Sequence, residues 1–213
     1  FLPELDNGNI KKYQIISCPG CYPTSILLPL IPLLKKNLIN YKNITIDSKS
    51  GFSGAGRSIH KKFKNKNLYE SFSVYGVSNH KHNPEIEDQF LKHLNRKVRF
   101  NFTPHLIPMF RGIFTSIYVD LNNKSSASKI ISCLKSFYKN SLFVKIKKKN
   151  TFLSTNSVIY TNDCHISVCN LKDKNKLLII SVIDNLIKGG AGQAVQNFNK
   201  LYNLNDYEGL NNL

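Results

Sequence analysis

The hydrophobic pattern near the start of the chain changes from a short alternating run to an almost continuous apolar one. Residues 13–17 have the apolar, strand-like character of a short β-strand. Residues 25–34 are apolar almost throughout and favour a buried helix, although they include Pro29 and Pro32. The pattern therefore predicts a strand, a tight turn and a helix start within a few residues.

Period-two alternation predicts further strands in the rest of the chain, at residues 44–50, 98–103, 113–121, 143–147, 164–171 and 177–183. Helices are predicted over about 84–93, over 126–139, and from a glycine-rich turn after residue 188 to about Tyr202. Short strands and helices in alternation, with several hairpins, predict an α+β fold on a mixed, mostly antiparallel sheet. We find no repeat and no internal boundary, so residues 1–213 are taken as one domain.

Between the first predicted strand and helix lies the segment Cys18-Pro19-Gly20-Cys21-Tyr22-Pro23-Thr24. Pro23 suits the first turn of a helix, which puts Cys21 at the helix start, where free N–H groups favour an anion. A free thiol has a pKa of about 8.5, and a helix N-terminus with a nearby cation can lower it by one or more units. We therefore expect Cys21 to be a nucleophile with a lowered pKa.

Three interpretations of this segment remain open from the local pattern alone. Cys21 could be a buried structural cysteine. Cys18 and Cys21 have the C-x-x-C spacing of a redox dithiol. A metal site would add His80 and His82 to the two cysteines.

Composition narrows the classes of function. The formal charge is +17, but only four of the 30 basic residues are Arg, and the dense run at residues 145–149 lacks interleaved aromatic residues. A compositional drift toward Lys and Asn explains the charge better than nucleic-acid binding. No apolar run reaches the roughly 18 residues of a membrane span. Five scattered cysteines indicate a reducing compartment, so a cytoplasmic location is expected.

Two further stretches have the composition of a binding or catalytic site. Residues 51–57 contain three glycines and end in Arg57, which is typical of an anion-binding or close-approach loop and equally of a surface turn. His80 and His82 precede a helix with an acidic first turn, and with Glu85 they could form a base and its orienting group. Two exposed loop histidines are the plainer alternative.

Five blocks of sequence, in order, resemble the N-acetyl-gamma-glutamyl-phosphate reductase family, which shares its general plan with the aspartate-semialdehyde and glyceraldehyde-phosphate dehydrogenases. The resemblance covers nearly the whole chain and adds a fold expectation. The sheet should carry its helices on one face, like the C-terminal domain of glyceraldehyde-phosphate dehydrogenase. The blocks are Pro19–Thr24, Ser53–Arg57, His80–Ile86, Thr103–Leu106 with Arg111-Gly112, and Asp184–Leu186 through Gln196-Asn197.

The resemblance implies NADPH-dependent reduction of an acyl phosphate to an aldehyde. Cys21 would attack the acyl carbon, phosphate would leave, and hydride transfer to the thioester would give a thiohemiacetal that collapses to the aldehyde. His80 is the first choice as acid or base, with Glu85 orienting it or tuning its pKa. His82 is the second choice as base and a candidate substrate contact.

The resemblance also implies the binding residues. Arg111, and with it Arg57, would bind the phosphate or carboxylate of the substrate. Ser53, Gly54, Ala55, Gly56 and Asn185 would line the nicotinamide side of the cofactor. No resident metal is implied, and the partners are a small-molecule substrate and further copies of the chain in a dimer or tetramer, without nucleic acid or membrane.

The sequence departs from the family in two ways. Cys18 stands where Asn or a small apolar residue is expected, which keeps the dithiol interpretation open. No glycine fingerprint of a Rossmann domain precedes Cys21. We therefore expect a catalytic and dimerisation part whose last helix, about 190–203, packs on a Rossmann domain, and which alone is inactive. An inactive remnant serving as a binding module is the alternative.

Overall fold

A computed structural model describes residues 1–6, 8–56, 67–123 and 125–210 of the 213-residue chain. Within those ranges it has four α-helices, which we number α1 Cys21–Lys35, α2 His82–Leu94, α3 Ala127–Phe137 and α4 Gly192–Tyr202. The strands are β1 Ile44–Gly51, β2 Ser73–Val74, β3 Phe100–Ile107, β4 Ile113–Asp120, β5 Val144–Ile146, β6 Cys164–Asn170 and β7 Lys176–Ile183. A short turn, Ile187–Ala191, leads into α4 and is kinked at Gly190, whose φ of −158° and ψ of −111° are not helical. We call it the π-helical turn because its hydrogen bonds join residues five positions apart.

The described strands form one mixed sheet in the order β2-β3-β1-β4-β7-β6-β5. The β1–β3 and β5–β6 pairs are parallel, and the other four neighbouring pairs are antiparallel. The predicted α+β fold with a mostly antiparallel sheet is therefore confirmed. Most strand boundaries agree with the alternation in the sequence to within one or two residues.

Each face of the sheet carries its own apolar cluster. Inward residues of β1, β4, β6 and β7, such as Ile46, Ile117, Ile166 and Ile179, pack with α1, α2 and α3 into the main core. The opposite face has a smaller cluster in which residues of β4, β6 and β7 meet the segment 153–158. Because successive strand residues face opposite sides of the sheet, they form two apolar layers, and helices α1, α2 and α3 pack against one of them.

Helix α1 is the centre of the main core, since residues 22–33 are all buried. Pro32 has no N–H, so it cannot donate to the carbonyl of Leu28 one turn earlier. The Tyr138 hydroxyl, at the end of α3, donates to that carbonyl instead, at 2.5 Å. A side chain from a neighbouring helix thus satisfies the backbone group that the proline leaves free, and the helix runs through both prolines.

Two sequence-based strand predictions need correction. Residues 13–17 are irregular, and Ile15 is 86% exposed. A strand forms only where it can pair with a neighbouring strand, and the edges of the described sheet are β2 and β5, neither of which pairs with residues 13–17. The strand predicted over 98–103 instead runs over Phe100–Ile107 and includes Pro104. Proline is tolerated there because β3 is bordered on one side only by the two-residue β2, and the Pro104 carbonyl still accepts from Tyr75 N.

Among the described residues, no helix combines the length and apolar content that crossing a bilayer requires.

Replacing Tyr138 by Phe should lower the free energy of unfolding by about 1–3 kcal/mol, because it leaves the buried Leu28 carbonyl without a donor. In a Pro32→Ala background the loss should be smaller, since an alanine at that position can donate its own N–H to Leu28. Urea unfolding of the two single variants and the double variant measures this coupling. Tyr202→Phe, at a 61% exposed position, is the matched control. Equal losses in both backgrounds would contradict the proposed role of Tyr138.

Candidate active site

Cys21 is the first residue of α1 and is partly buried. Gly20 precedes it in extended conformation, and the Gly20 carbonyl accepts from Thr24 N at 3.0 Å and Thr24 Oγ1 at 2.9 Å. Because the N-cap residue Gly20 has no side chain to accept from them, the first backbone N–H groups of α1 are available near the thiol. The predicted placement of Cys21 at a helix start agrees with the structure.

Two glycines let other groups approach this cysteine closely. A methyl group on Gly20 would lie 2.4 Å from His82 Nε2, so only glycine leaves room for the imidazole there. A methyl group on Gly189 would lie 2.5 Å from Cys21 Cβ and 2.9 Å from Cys21 Cα. The thiol-bearing residue is thus enclosed between the His82 side of the site and the π-helical turn.

The electrostatics of Cys21 differ from the sequence-based expectation. Burial raises the pKa of the thiol to about 11, although the backbone N–H groups of Tyr22 and Cys21 and the charge of Lys81 act to lower it. The expected lowered pKa is therefore wrong for this structure, because removal from water outweighs the helix start. At neutral pH the thiol is protonated and requires a base to become a nucleophile.

The two histidines lie together in an aromatic cluster with Tyr22, Tyr75 and Phe102. Their ring centroids are 4.8 Å apart, and His80 also makes edge contacts with all three aromatic rings at 5.4–5.6 Å. His80 Nδ1 accepts from the His82 backbone N–H at 3.2 Å, which leaves His80 Nε2 to carry the proton when the ring is neutral.

Both imidazoles are held neutral at physiological pH. Burial lowers the pKa of His80, and it lowers the pKa of His82 to about 4, with smaller effects from the neighbouring His80 and Lys81. A neutral imidazole can accept a proton, whereas an imidazolium cannot. Either histidine is therefore in the correct state for a general base, and His82 is the one in contact with Gly20.

Glu85 serves a different partner from the one predicted. Its Oε1 accepts from Gly20 N at 2.9 Å, so the carboxylate positions the turn before Cys21 rather than bonding to the His80 ring. Burial raises the pKa of Glu85, against the effect of that hydrogen bond. In sequence, Glu85 sits one turn after His82, which made a His–Glu contact the simpler expectation.

The residues predicted to bind substrate and cofactor form a second group around Asp184 and Asn185. Arg111 Nη1 donates to the fully buried Asp184 at 3.1 Å, and its guanidinium stacks over Tyr160 at 4.5 Å. Asn185 accepts from Gly112 N at 2.6 Å and donates to Ser53 Oγ at 3.0 Å.

A cavity of about 610 Å³ lies between part of the glycine loop and part of the histidine block. Gly54 and Ala55 of the predicted cofactor loop line it together with His80, Lys81 and Tyr75. Gly56 follows the loop with a left-handed φ of 73°. Arg57 lies outside the described residues. The glycine loop and the histidine block, which the sequence separates, therefore share one cavity.

The structure also bears on the redox-dithiol and metal-site interpretations of Cys18 and Cys21. Cys18 Sγ accepts from Asn197 Nδ2, on α4, at 3.2 Å, and both Cys18 and Cys21 are free thiols. In the part of the chain that the structure describes, no group of three or more His, Cys, Asp or Glu side chains is arranged to hold a metal ion.

The sequence analysis missed four residues that shape the site: Tyr22, Tyr75, Asp184 and Gly189. Tyr75 OH donates to Tyr22 OH at 3.1 Å, and Tyr22 OH donates to the His105 carbonyl at 3.1 Å, which fixes the rings beside His80. Tyr22 and Asp184 lie in the family-like blocks Pro19–Thr24 and Asp184–Leu186, and Gly189 lies among the small residues before α4, which indicate close packing.

Comparison with known proteins gives consistent matches. The family model of the semialdehyde dehydrogenase dimerisation domain matches residues 21–185. The chain is 45% identical over 209 residues to an N-acetyl-gamma-glutamyl-phosphate reductase of Vesicomyosocius okutanii, covering 98% of this chain and 60% of that protein. It is 44% identical over 211 residues to the protein of the same name from Acetivibrio thermocellus, covering 99% and 61%. The chain thus spans about three fifths of the length of these curated relatives.

Among solved structures, aspartate semialdehyde dehydrogenase II from Vibrio cholerae superposes with a TM-score of 0.75 at 17% identity, covering 95% of this chain and 68% of that one. At this identity the likeness establishes the shared fold.

The alkylation rate of Cys21 by iodoacetamide should keep rising above neutral pH, by about tenfold per pH unit, because only the thiolate reacts. The rise should continue toward pH 11, where the folded-state pKa lies. Mass spectrometry of the Cys21 peptide at timed intervals measures the rate, and Cys21→Ala identifies the peptide. A plateau reached below about pH 8 would show a thiol that its helix start activates instead.

Proposed function

Since the chain belongs to the semialdehyde dehydrogenase family through its dimerisation domain, we propose that it is the catalytic part of an N-acetyl-gamma-glutamyl-phosphate reductase. The observation that carries the proposal is the partly buried Cys21 at a helix start, enclosed by the His82–Gly20 contact and Gly189. The reaction would reduce N-acetyl-gamma-glutamyl phosphate to the semialdehyde and phosphate, a step of arginine biosynthesis. The setting would be the cytoplasm.

The first chemical step is formation of a thioester on Cys21. Its thiol proton passes to a neutral imidazole, the sulfur forms a bond with the acyl carbon, and the acyl C–O bond to phosphate breaks. Because the thiol pKa is about 11, this proton transfer cannot be omitted at neutral pH. The free N–H groups at the start of α1 can stabilise the negative charge that develops beside the sulfur.

For the base we favour His82, which differs from the first choice made from the sequence. Its Nε2 faces the backbone of Gly20, the residue before Cys21, and its pKa of about 4 keeps it unprotonated at neutral pH. His80 lines the cavity, and its Nδ1 is occupied by the His82 N–H. His80 would therefore donate through Nε2 to an oxygen of the substrate.

The residues at the cavity fit a nicotinamide ring. Gly54 and Ala55 present no side chain larger than a methyl group, and Asn185 is held beside them through Ser53. Bound NADPH would supply the hydride that reduces the thioester. The chain's part is then to orient the ring and to return the imidazolium proton to the sulfur as the thiohemiacetal oxyanion left by hydride transfer collapses to aldehyde and Cys21 thiol.

Arg111 is proposed to bind the phosphate or carboxylate of the substrate. Asp184 holds one end of the guanidinium, and the side chain remains 21% exposed, so the other nitrogen atoms can be directed at an anion. Arg57 is proposed as a second anion contact from the end of the glycine loop.

The assembly we propose is a homo-oligomer that also carries a Rossmann domain. The side of the sheet opposite α1, α2 and α3 offers exposed or partly exposed residues of β1 and β4, such as Thr45 and Tyr118, to a second subunit. The outer face of α4 offers Val195, Phe198 and Tyr202, which are 37–61% exposed, to the Rossmann domain.

In a complete reductase, His82→Asn should lower kcat by about a hundredfold or more, the usual cost of losing a general base. His80→Asn should lower kcat less and raise KM more, because His80 would contact substrate. Steady-state kinetics with the acyl phosphate and NADPH measure both parameters. A larger loss of kcat in His80→Asn would return the role of base to His80.

The 213 residues alone should bind NADPH weakly and show no turnover, because the pyrophosphate of a dinucleotide is held mainly by a Rossmann glycine loop. Calorimetry of the chain, beside a fusion with a Rossmann domain of the family placed before Phe1, measures this difference. The fusion should reduce the acyl phosphate, and its Cys21→Ser variant should bind NADPH without turnover. Micromolar binding by the chain alone would mean that its cofactor site lies elsewhere. A folded, NADPH-binding fusion without activity would favour the inactive-remnant alternative.

A further inference from the structure

Lys188 is fully buried, which is uncommon for lysine. Its ammonium forms an ion pair with Glu4, which is also buried, and donates to Gln196 Oε1 at 2.8 Å. Gln196 Nε2 donates in turn to Glu4 at 3.0 Å, and the Phe143 ring lies 5.6 Å from the ammonium. Although burial acts to raise the pKa of the Glu4 carboxyl, its contacts with Lys188 and Gln196 lower that pKa overall.

Stability by itself does not account for this pair. Removing two charges from water costs about as much as their attraction returns, and apolar residues of similar size commonly serve as well or better. Within the described residues, Glu4 Oε2 is buried without a hydrogen-bond partner, so the desolvation is not fully compensated. A buried ion pair that adds little to stability points to a role in fixing the conformation of the segments that it joins.

The position of Lys188 in the chain identifies that geometry. It lies inside the π-helical turn Ile187–Ala191, directly before Gly189, whose backbone packs against Cys21. The turn is closed by Gly189 N donating to the Asp184 carbonyl at 2.9 Å and Ala191 N donating to the Leu186 carbonyl at 2.9 Å. Gly190, inside the same turn, has the non-helical backbone angles φ −158° and ψ −111°, so the turn is kinked and is not a regular π-helix.

The side chain of Lys188 links this turn directly to Glu4 and Gln196, and through Gln196 to Asn162. Glu4 belongs to the first segment of the chain, Gln196 to α4, and Asn162, which donates to Gln196 Oε1 at 3.1 Å, to the loop before β6. With these contacts the turn cannot rotate without breaking a buried ion pair. On the other side of the cysteine, Glu85 holds Gly20.

We propose that the buried Lys188–Glu4 pair is a positioning element for Cys21, which fixes the π-helical turn so that Gly189 holds the thiol in place. The inference rests on the proposed function only in taking Cys21 to be the nucleophile. When the pair is removed, the turn loosens, water reaches the sulfur, and the thiol becomes easier to ionise but less well aligned with the acyl carbon. Reactivity toward a small alkylating agent and catalysis should therefore change in opposite directions.

The test replaces both partners by Met, in a Lys188→Met/Glu4→Met variant, so that no unpaired charge is buried. Thermal unfolding should remain cooperative. The alkylation rate of Cys21 by iodoacetamide at pH 8 should rise at least about fivefold, and the pH midpoint of the reaction should fall. In the Rossmann fusion, kcat should drop at least about tenfold with little change in KM, because a misplaced nucleophile still allows binding.

The matched control is Lys145→Met, which removes a lysine paired with Asp163 and 49% exposed, and which should leave the alkylation rate unchanged. A Lys188→Gln/Glu4→Gln variant keeps polar side chains of similar length, buries no unpaired charge and should give a smaller change in the same direction; it decides the question if the Met variant does not fold. A folded variant that alkylates at the parental rate and midpoint would overturn the proposal. Activity retained by Cys21→Ser would instead refute the proposed function, and the alkylation result would stand apart from it.

Discussion

The contact between the Gly189 backbone and Cys21 is the constraint on which the site depends. A methyl group on Gly189 would lie 2.5 Å from Cys21 Cβ, so the turn after β7 and the start of α1 are in direct contact. Helix α1 cannot shift to relieve this contact, because residues 22–33 are buried against the sheet and two other helices. The start of α1 is therefore held by the core of the domain, and the turn that carries Gly189 packs directly against it.

Burial then decides the chemistry of the thiol. A helix start stabilises an anion by roughly 0.3–1 kcal/mol at exposed sites. Here removal from water is the larger effect and raises the pKa of Cys21 to about 11. The same dry surroundings keep His82 neutral, with a pKa of about 4. At neutral pH these pKa values leave a protonated thiol and a neutral imidazole in the same site.

The ionisable groups around the site have separate tasks. Glu85 and the Lys188–Glu4 pair act on backbone turns, one on each side of Cys21, whereas Asp184 holds Arg111. Among the described contacts of Glu85 and Lys188, none reaches the thiol side chain directly. Glu85 and Lys188 each restrain the backbone conformation of a turn that contains glycine. Glycine is required where the backbone must approach closely, and the ionic contacts restrain it there.

The sequence by itself determined the elements that depend on neighbouring residues alone, such as β1, α3 and the helix start at Cys21. Side-chain alternation and turn residues specify these elements because both act over only a few positions. The sequence could not determine residues 13–17, since a strand requires a partner supplied by distant parts of the chain. The histidine block and the glycine loop were recognisable as site residues from sequence, but which histidine meets Gly20 depends on how α2 packs against α1. Lys188 was one basic residue among 30 in the sequence. Only the tertiary structure buries it beside Glu4, because that contact joins residues 184 positions apart.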